Sequence, residues 1–359
     1  MFNFDFIVFF PLLISFLITA AITPICIVLL KKFKIVDDPN VHVHPAILHK
    51  KTIPRGGGIP LFIGVLIASL IFIPMTKIIS ALFIASFISL FVGILDDKYD
   101  ISPYIRFLVN IFCAIFVVYF GANIPFITNP FGGILFLNKL ALPFLQGVNL
   151  SFLSGIVAVV WIVWVMNMLN WSKGVDGQMP GIVAISAVVI GILSLRFSPL
   201  DSTSAVVATL SFIISGAALG FLIFNFYPAK IFPGYGATSI YLLLAVVSIL
   251  SGAKLATAIL VMGVPLTDGA ITILRRLLSG KSPFWHDKKH LHHLLLSLGF
   301  GQRRIALFYW VISAILGTIS LVLSSKGKLF AIIMLIIIAG GAILFLQFFI
   351  KRSNDKTSI

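Results

Sequence analysis

The chain has 359 residues, of which 60% are hydrophobic and only 10% charged, and its net charge is +15. A soluble domain carries roughly 25% charged residues, so water is not the main solvent and one membrane domain is expected rather than several soluble ones. The basic residues sit in short loops between apolar runs, not on a solvated face with stacking aromatics, which argues against nucleic acid and for a membrane partner.

The first apolar run, Phe6 to Leu30, has no basic stretch before it and no small-residue cleavage site after it, so it reads as a retained span. Ten more runs follow, at about 56–74, 78–95, 103–121, 151–168, 179–196, 204–225, 236–252, 254–275, 304–323 and 328–350. A helical span needs roughly 20 apolar residues. The expected fold is therefore all-α: a polytopic membrane protein with about 10–11 transmembrane helices. Residues 1–350 would form a single transmembrane domain and 351–359 a short tail. The loop 122–150 is expected to hold a short hairpin. Cys26 and Cys113 lie inside apolar runs and imply no disulfide framework.

Of the 26 Lys and Arg residues, 20 fall in one set of loops plus the tail. The positive-inside rule makes that side cytoplasmic, with the N-terminus outside. All seven histidines fall there too, as do Asp37, Asp38, Asp96, Asp97, Asp100, Asp176 and Asp287. Glutamate is absent, so carboxylate chemistry must come from these few Asp residues. A cytoplasmic active site is expected.

In chain order, the first block is Arg55-Gly56-Gly57-Gly58, where glycines at a helix start would present backbone N–H groups, and Arg a charge, to an anion. The bland alternative is a hinge. Next comes Asp96-Asp97-Lys98-Tyr99-Asp100 at the end of an apolar run. Adjacent carboxylates repel and are usually kept because a cation neutralises both; Mg²⁺ suits such a pair with substrate phosphates. A solvated helix end is the alternative. Asn167 and Asn170 stand one turn apart before Lys173, Gly174, Asp176 and Gly177. Their amides suit a nucleobase or a metal shell, and equally a polar cap. Asp268 is an ionisable residue within the ninth run, a functional candidate by default or one half of a structural pair. His290-Leu291-His292-His293 follows Asp287-Lys288-Lys289, and so many cations fit a phosphate better than zinc.

Together these blocks resemble the polyprenyl-phosphate N-acetylhexosamine-1-phosphate transferases, of glycosyltransferase family 4 type, which start cell-envelope glycopolymers. The resemblance covers about residues 35–300. It is carried by Val36-Asp37-Asp38-Pro39-Asn40 and Pro54-Arg55-Gly56-Gly57-Gly58, by Gly93 to Ser102, by Phe224-Asn225 with Pro228 to Phe232, by Val264-Pro265-Leu266-Thr267-Asp268 with Arg275-Arg276, and by His290 to His293. It implies transfer of N-acetylhexosamine-1-phosphate, GlcNAc-1-phosphate foremost, from a UDP-sugar to undecaprenyl-type phosphate with release of UMP. It also implies Mg²⁺, with Mn²⁺ as the alternative, the cell (inner) membrane as location, and a homodimer as candidate assembly.

By resemblance, Asp96, Asp97, Asp176 and Lys173 are the catalytic candidates, and Asp96, Asp97, Asn170 and Asp176 the metal candidates. Asn167, Asn170, Arg55, Asn225, His290, His292, His293 and Asp268 are the substrate-binding candidates. Two positions depart from the family pattern: Lys173 and Tyr235 each stand where the family has Asp. Two readings follow: an enzyme in which the fixed charge of Lys173 does part of a metal's work, or a catalytically weakened membrane scaffold.

Overall fold

The computed structural model describes residues 5–39, 51–129, 133–138, 152–196, 202–250, 255–285, 287 and 289–357. Among them are thirteen α-helices. In chain order these are α1 (Phe10–Lys32), α2 (Gly58–Phe72), α3 (Lys77–Tyr99), α4 (Pro103–Tyr119), α5 (Leu153–Trp171), α6 (Gln178–Leu195) and α7 (Ser202–Asn225). Then come α8 (Thr238–Leu250), α9 (Leu255–Val261), α10 (Gly263–Leu278), α11 (Leu291–Ser297), α12 (Gln302–Val322) and α13 (Ser325–Thr357). Each of the eleven apolar runs contains helix among the described residues. Seven helices are long and apolar enough to cross a membrane. The helices α2, α4 and α8, at 15, 17 and 13 residues, are shorter.

The ninth run departs from expectation. It is not one straight span but α9 and α10, bent by 83° at Met262 and forming at most one broken span. Pro265 lies early in α10, where its missing N–H costs no helical bond. Beyond the bend, Asp268 meets the start of α11 at Leu291 and Arg276 lies over the ring of Trp171 at the end of α5. At the other end of the chain, α13 continues as helix to Thr357.

Every residue of α8 from Thr238 to Ile249 is buried, so this short helix is the centre of the bundle. Around it, α1 and α6 pack along α7, and α12 along α6. Glycine permits the closest contact: a Cβ on Gly216 of α7 would lie 2.1 Å from the carbonyl oxygen of Leu12, and one on Gly220 2.5 Å from that of Phe16. Small residues four apart let two apolar helices approach until their backbones touch. On the outside, Ile336, Ile337 and Ile338 of α13 are 53%, 60% and 63% exposed. Three consecutive outward isoleucines belong in a lipid solvent, not in water.

Two small hairpins sit outside the bundle. Strand β1 (Val36–Asp37) pairs antiparallel with β2 (Ile53–Pro54). Strand β3 (Phe126–Thr128) pairs with β4 (Ile134–Phe136), the hairpin expected in the loop 122–150. β2 leads straight into Arg55, which forms a parallel bridge with Phe232.

Candidate active site

The loops that carry the sequence blocks converge on one cavity of about 1040 Å³. It collects the end of β2, the C-terminal ends of α3 and α5, the loop after α7, and the stretch between α10 and α11. Eight of the twelve expected residues line it: Arg55, Asp96, Asn167, Asn170, Lys173, Asp176, His290 and His293. The other four, Asp97, Asn225, His292 and Asp268, are buried behind the wall.

Asp96 and Asp97 face different tasks. Asp96 Oδ2 accepts from Arg106 Nη1 at 3.0 Å, while its Oδ1 is buried with no hydrogen-bond partner. Asp97 Oδ1 accepts from the backbone N–H of Tyr235 at 2.8 Å and lies 3.6 Å from Arg55 Nε, and its Oδ2 accepts from the N–H of Gly236 at 3.5 Å. Asp97 thus fastens the end of α3 to a 3-10 turn, Tyr235–Ala237. Gly234 makes this possible. Its φ is +66°, and a Cβ there would lie 2.1 Å from Asp97 Oδ2.

The same turn anchors Lys173. Its Nζ donates to the Gly234 carbonyl at 2.9 Å and lies 5.7 Å from the centre of the Tyr235 ring. Arg106 lies 5.1 Å from that ring, and Tyr235 Oη accepts from Asn110 Nδ2 at 3.1 Å. Burial pulls the Lys173 ammonium down to about 8, with Asp97 opposing. Lys173 and Tyr235 are therefore neighbours.

Asn167 Nδ2 donates to Val163 O at 2.7 Å, within its own helix, and Asn170 Oδ1 has no hydrogen-bond partner. Asp176 Oδ2 accepts from Ala229 N–H at 3.0 Å. Asn225 is a latch: its Oδ1 accepts from Gly177 N–H at 3.1 Å and its Nδ2 donates to Ile231 O at 2.9 Å. It ties the α5–α6 turn to the loop after α7 and does not face the cavity.

The histidines also divide. His290 Nδ1 is 2.9 Å from Asp268 Oδ2, and Asp268 Oδ1 accepts from Leu291 N–H at 3.1 Å. Asp268 therefore holds the histidine loop instead of meeting a ligand. His292 packs behind, its ring parallel to that of His290 at 5.6 Å. Burial, with His293 and His290 alongside, drives its pKa well below the usual histidine value, so it is neutral. Gly174 admits it, since a Cβ there would lie 2.2 Å from His292 Nε2. Asp287 binds Arg275 and Arg276 at 2.8 and 3.1 Å. Although burial raises its pKa, the Lys289 N–H and these two arginines outweigh it and hold the carboxyl at about 2. His42, His44, His49, His286 and Lys288 lie outside the described residues.

The Gly56-Gly57-Gly58 stretch does not cradle an anion. The N–H groups of Gly57 and Gly58 donate to Phe232 O at 2.9 Å and Pro233 O at 3.0 Å. These glycines serve close packing instead. Of the expected metal residues, Asp96, Asn170 and Asp176 line the cavity and Asp97 is buried behind it. Among the described residues no group of three or more His, Cys or carboxylate side chains is placed to hold a metal ion. Asp97 is spent on backbone donors and Asp96 carries an arginine, so the residues present do not fit a protein-built divalent cage.

Arg106, which pairs with Asp96, lies outside the sequence blocks. Its signal was thin: a lone Arg three residues after Pro103, at the start of the helix following the paired Asp residues.

The chain is thus a helical membrane protein whose charged loops gather round one cavity at the helix ends. The family model for glycosyl transferase family 4 matches residues 79–252. A Bacillus subtilis (strain 168) protein named probable undecaprenyl-phosphate N-acetylglucosaminyl 1-phosphate transferase is 31% identical over 336 residues, covering 90% of this chain and 88% of that one. The undecaprenyl-phosphate alpha-N-acetylglucosaminyl 1-phosphate transferase of Haemophilus influenzae is 30% identical over 299 residues, covering 80% and 79%. The phospho-N-acetylmuramoyl-pentapeptide-transferase of Staphylococcus carnosus is 26% identical over 326 residues, covering 86% and 97%. The chain belongs to glycosyl transferase family 4, and it is an enzyme of that family.

Proposed function

We propose that the chain transfers N-acetylglucosamine-1-phosphate from its UDP-sugar to an undecaprenyl-type phosphate at the cytoplasmic face of the cell membrane, releasing UMP and starting an envelope glycopolymer. The observation that carries this reading is the convergence of Arg55, Asp96, Asn170, Lys173, His290 and His293 on one cavity at the helix ends. Cations for a diphosphate, amides for a base and lipid-facing helices alongside are what a sugar nucleotide and a polyprenyl phosphate together require. Higher identity to the N-acetylglucosamine-1-phosphate enzymes than to the muramoyl-pentapeptide enzyme favours the former sugar.

In the reaction, an oxygen of the lipid phosphate forms a bond to the sugar-proximal phosphorus, and the bond from that phosphorus to the bridging oxygen breaks. The electron pair leaves with UMP, so no further reactant is needed. Asp96 Oδ1, buried and without a partner, takes the P–OH proton when the acceptor arrives as monoanion. Arg55, Lys173, His290 and His293 oppose the charge that builds on the pyrophosphate oxygens. Asp97, Asn225 and Asp268 hold those groups in place. Asn167, Asn170 and Trp171 are the nearest matches for uracil. The test is UMP release from UDP-N-acetylglucosamine by the purified chain. Release that depends on added polyprenyl phosphate supports the reading; no release from a folded protein favours the scaffold.

A further inference from the structure

We propose that the diphosphate seat of this cavity is built from the fixed cations Lys173, Arg55 and Arg106, and that it binds and neutralises a diphosphate without a divalent metal ion. The proposal rests on the donor assigned above and deepens it.

The cluster is already balanced for an anion. Asp96 and Asp97 supply two negative charges, and Arg55, Arg106 and Lys173 supply three positive ones, which leaves one positive charge over. Three of the four carboxylate oxygens are taken by Arg106 or by backbone N–H groups. One, Asp96 Oδ1, is left. A small hard cation demands near-octahedral oxygen ligation and dehydrates reluctantly, and the one oxygen this carboxylate pair leaves, with three cations beside it, offers it little. An incoming diphosphate meets the reverse: charge of the opposite sign, already placed.

The cations are fixed. Lys173 is tied to the Gly234 carbonyl, and both Lys173 and Arg106 stand over the ring of Tyr235, whose hydroxyl is held by Asn110. An aromatic face attracts a cation without neutralising it. A carboxylate at position 235 would pair with Lys173 and Arg106 and cancel them. Tyr235 keeps both charges available and locates them. Preorganised charge of this kind is what lowers the cost of developing negative charge, with no reorganisation at the moment of reaction.

The test is binding of inorganic pyrophosphate and of UDP to the intact detergent-solubilised protein, followed by thermal shift in EDTA and in Mg²⁺. Affinities should agree within about 3-fold in the two conditions. Lys173→Met should weaken both probes by about 10²-fold and Lys173→Arg by less than about 5-fold, in keeping with the strength of charge-assisted hydrogen bonds. Should Lys173→Met fail to fold, the EDTA comparison on the unmodified chain still decides. Independently, Mn²⁺ titration followed by electron paramagnetic resonance should find no stoichiometric site. Binding that needs Mg²⁺, or a bound Mn²⁺ lost in Asp96→Asn, would overturn the proposal. Metal-free binding of pyrophosphate without any UDP-sugar turnover would uphold this seat and sink the proposed donor instead.

Discussion

The carboxylate of Asp268 lies 2.9 Å from Nδ1 of His290, and both groups are buried. The carboxylate fixes the ring so that its other nitrogen is the one available to the cavity, as a carboxylate partner does for a working imidazole. Asp268→Asn keeps the shape and removes the charge. Activity should fall by about 10²-fold. Because Asp268 acts through His290, the double variant with His290→Ala should be about as slow as His290→Ala alone. Losses that simply multiply would contradict the pairing.

Asp96 and Asp97 should separate by the property they change. Asp96→Asn removes a carboxylate facing the cavity, and turnover should drop at least about 10²-fold, with a smaller loss of stability than in Asp97→Asn because only the Arg106 pair is affected. Asp97→Asn leaves two backbone donors and Arg55 without their anion, so stability should fall by about 1–3 kcal/mol along with activity. Gly234→Ala drives a methyl into the same carboxylate and should resemble Asp97→Asn. Steady-state rates and thermal melts on the three variants distinguish the roles. Equal melting temperatures for Asp96→Asn and Asp97→Asn would count against the assignment.

Lys173 gives a pH dependence with a defined sign. The folded protein releases its proton near pH 8, whereas the unfolded chain holds it to about 10.5. The cation is therefore present at pH 7 and lost as pH rises through about 8, and activity should fall over that window. Its effect on stability runs the other way. Between those two values the unfolded chain binds more protons, so this group favours the folded state increasingly as pH rises. Lys173→Arg keeps the charge at every such pH and should move the alkaline limb upward. An unchanged limb would assign it to another group.

What the sequence could and could not tell follows from the solvent. Asp96, Arg55, Lys173 and the histidine loop stood out because polar residues are rare in this chain, and the cavity does gather them. The interior position of α8 did not stand out. Tyr241 to Val247 are buried and Ile336 to Ile338 are exposed, yet both stretches are simply apolar. Lipid tails and protein interior are alike to a side chain, so periodicity carries no signal. The bend at Met262 was signalled only by Gly263 and Pro265. That Asp97, Asn225 and Asp268 work behind the wall was not legible, because spacing along a chain does not say which of two neighbouring carboxylates turns inward. The use of Gly57 and Gly58 for packing was hidden for the same reason: their partner, Phe232 to Gly236, lies far along the chain.

Orientation has its own check. Trp285 and Phe136 are 52% and 45% exposed, and the native Cys26 and Cys113 are buried. Trp285→Cys should react only with reagents that enter the cytoplasm, and Phe136→Cys with impermeant ones from outside. Reversed labelling would place the cavity on the other side of the membrane.

The most direct test supplies purified chain with undecaprenyl phosphate and UDP-N-acetylglucosamine labelled in the sugar and in the sugar-proximal phosphate. The expected result is both labels passing together into the organic phase, one UMP released for each, with the transfer surviving EDTA and failing in Asp96→Asn. Sugar label without phosphate label in the lipid, or no lipid-borne label from a folded protein with Mg²⁺ present or absent, would contradict the account.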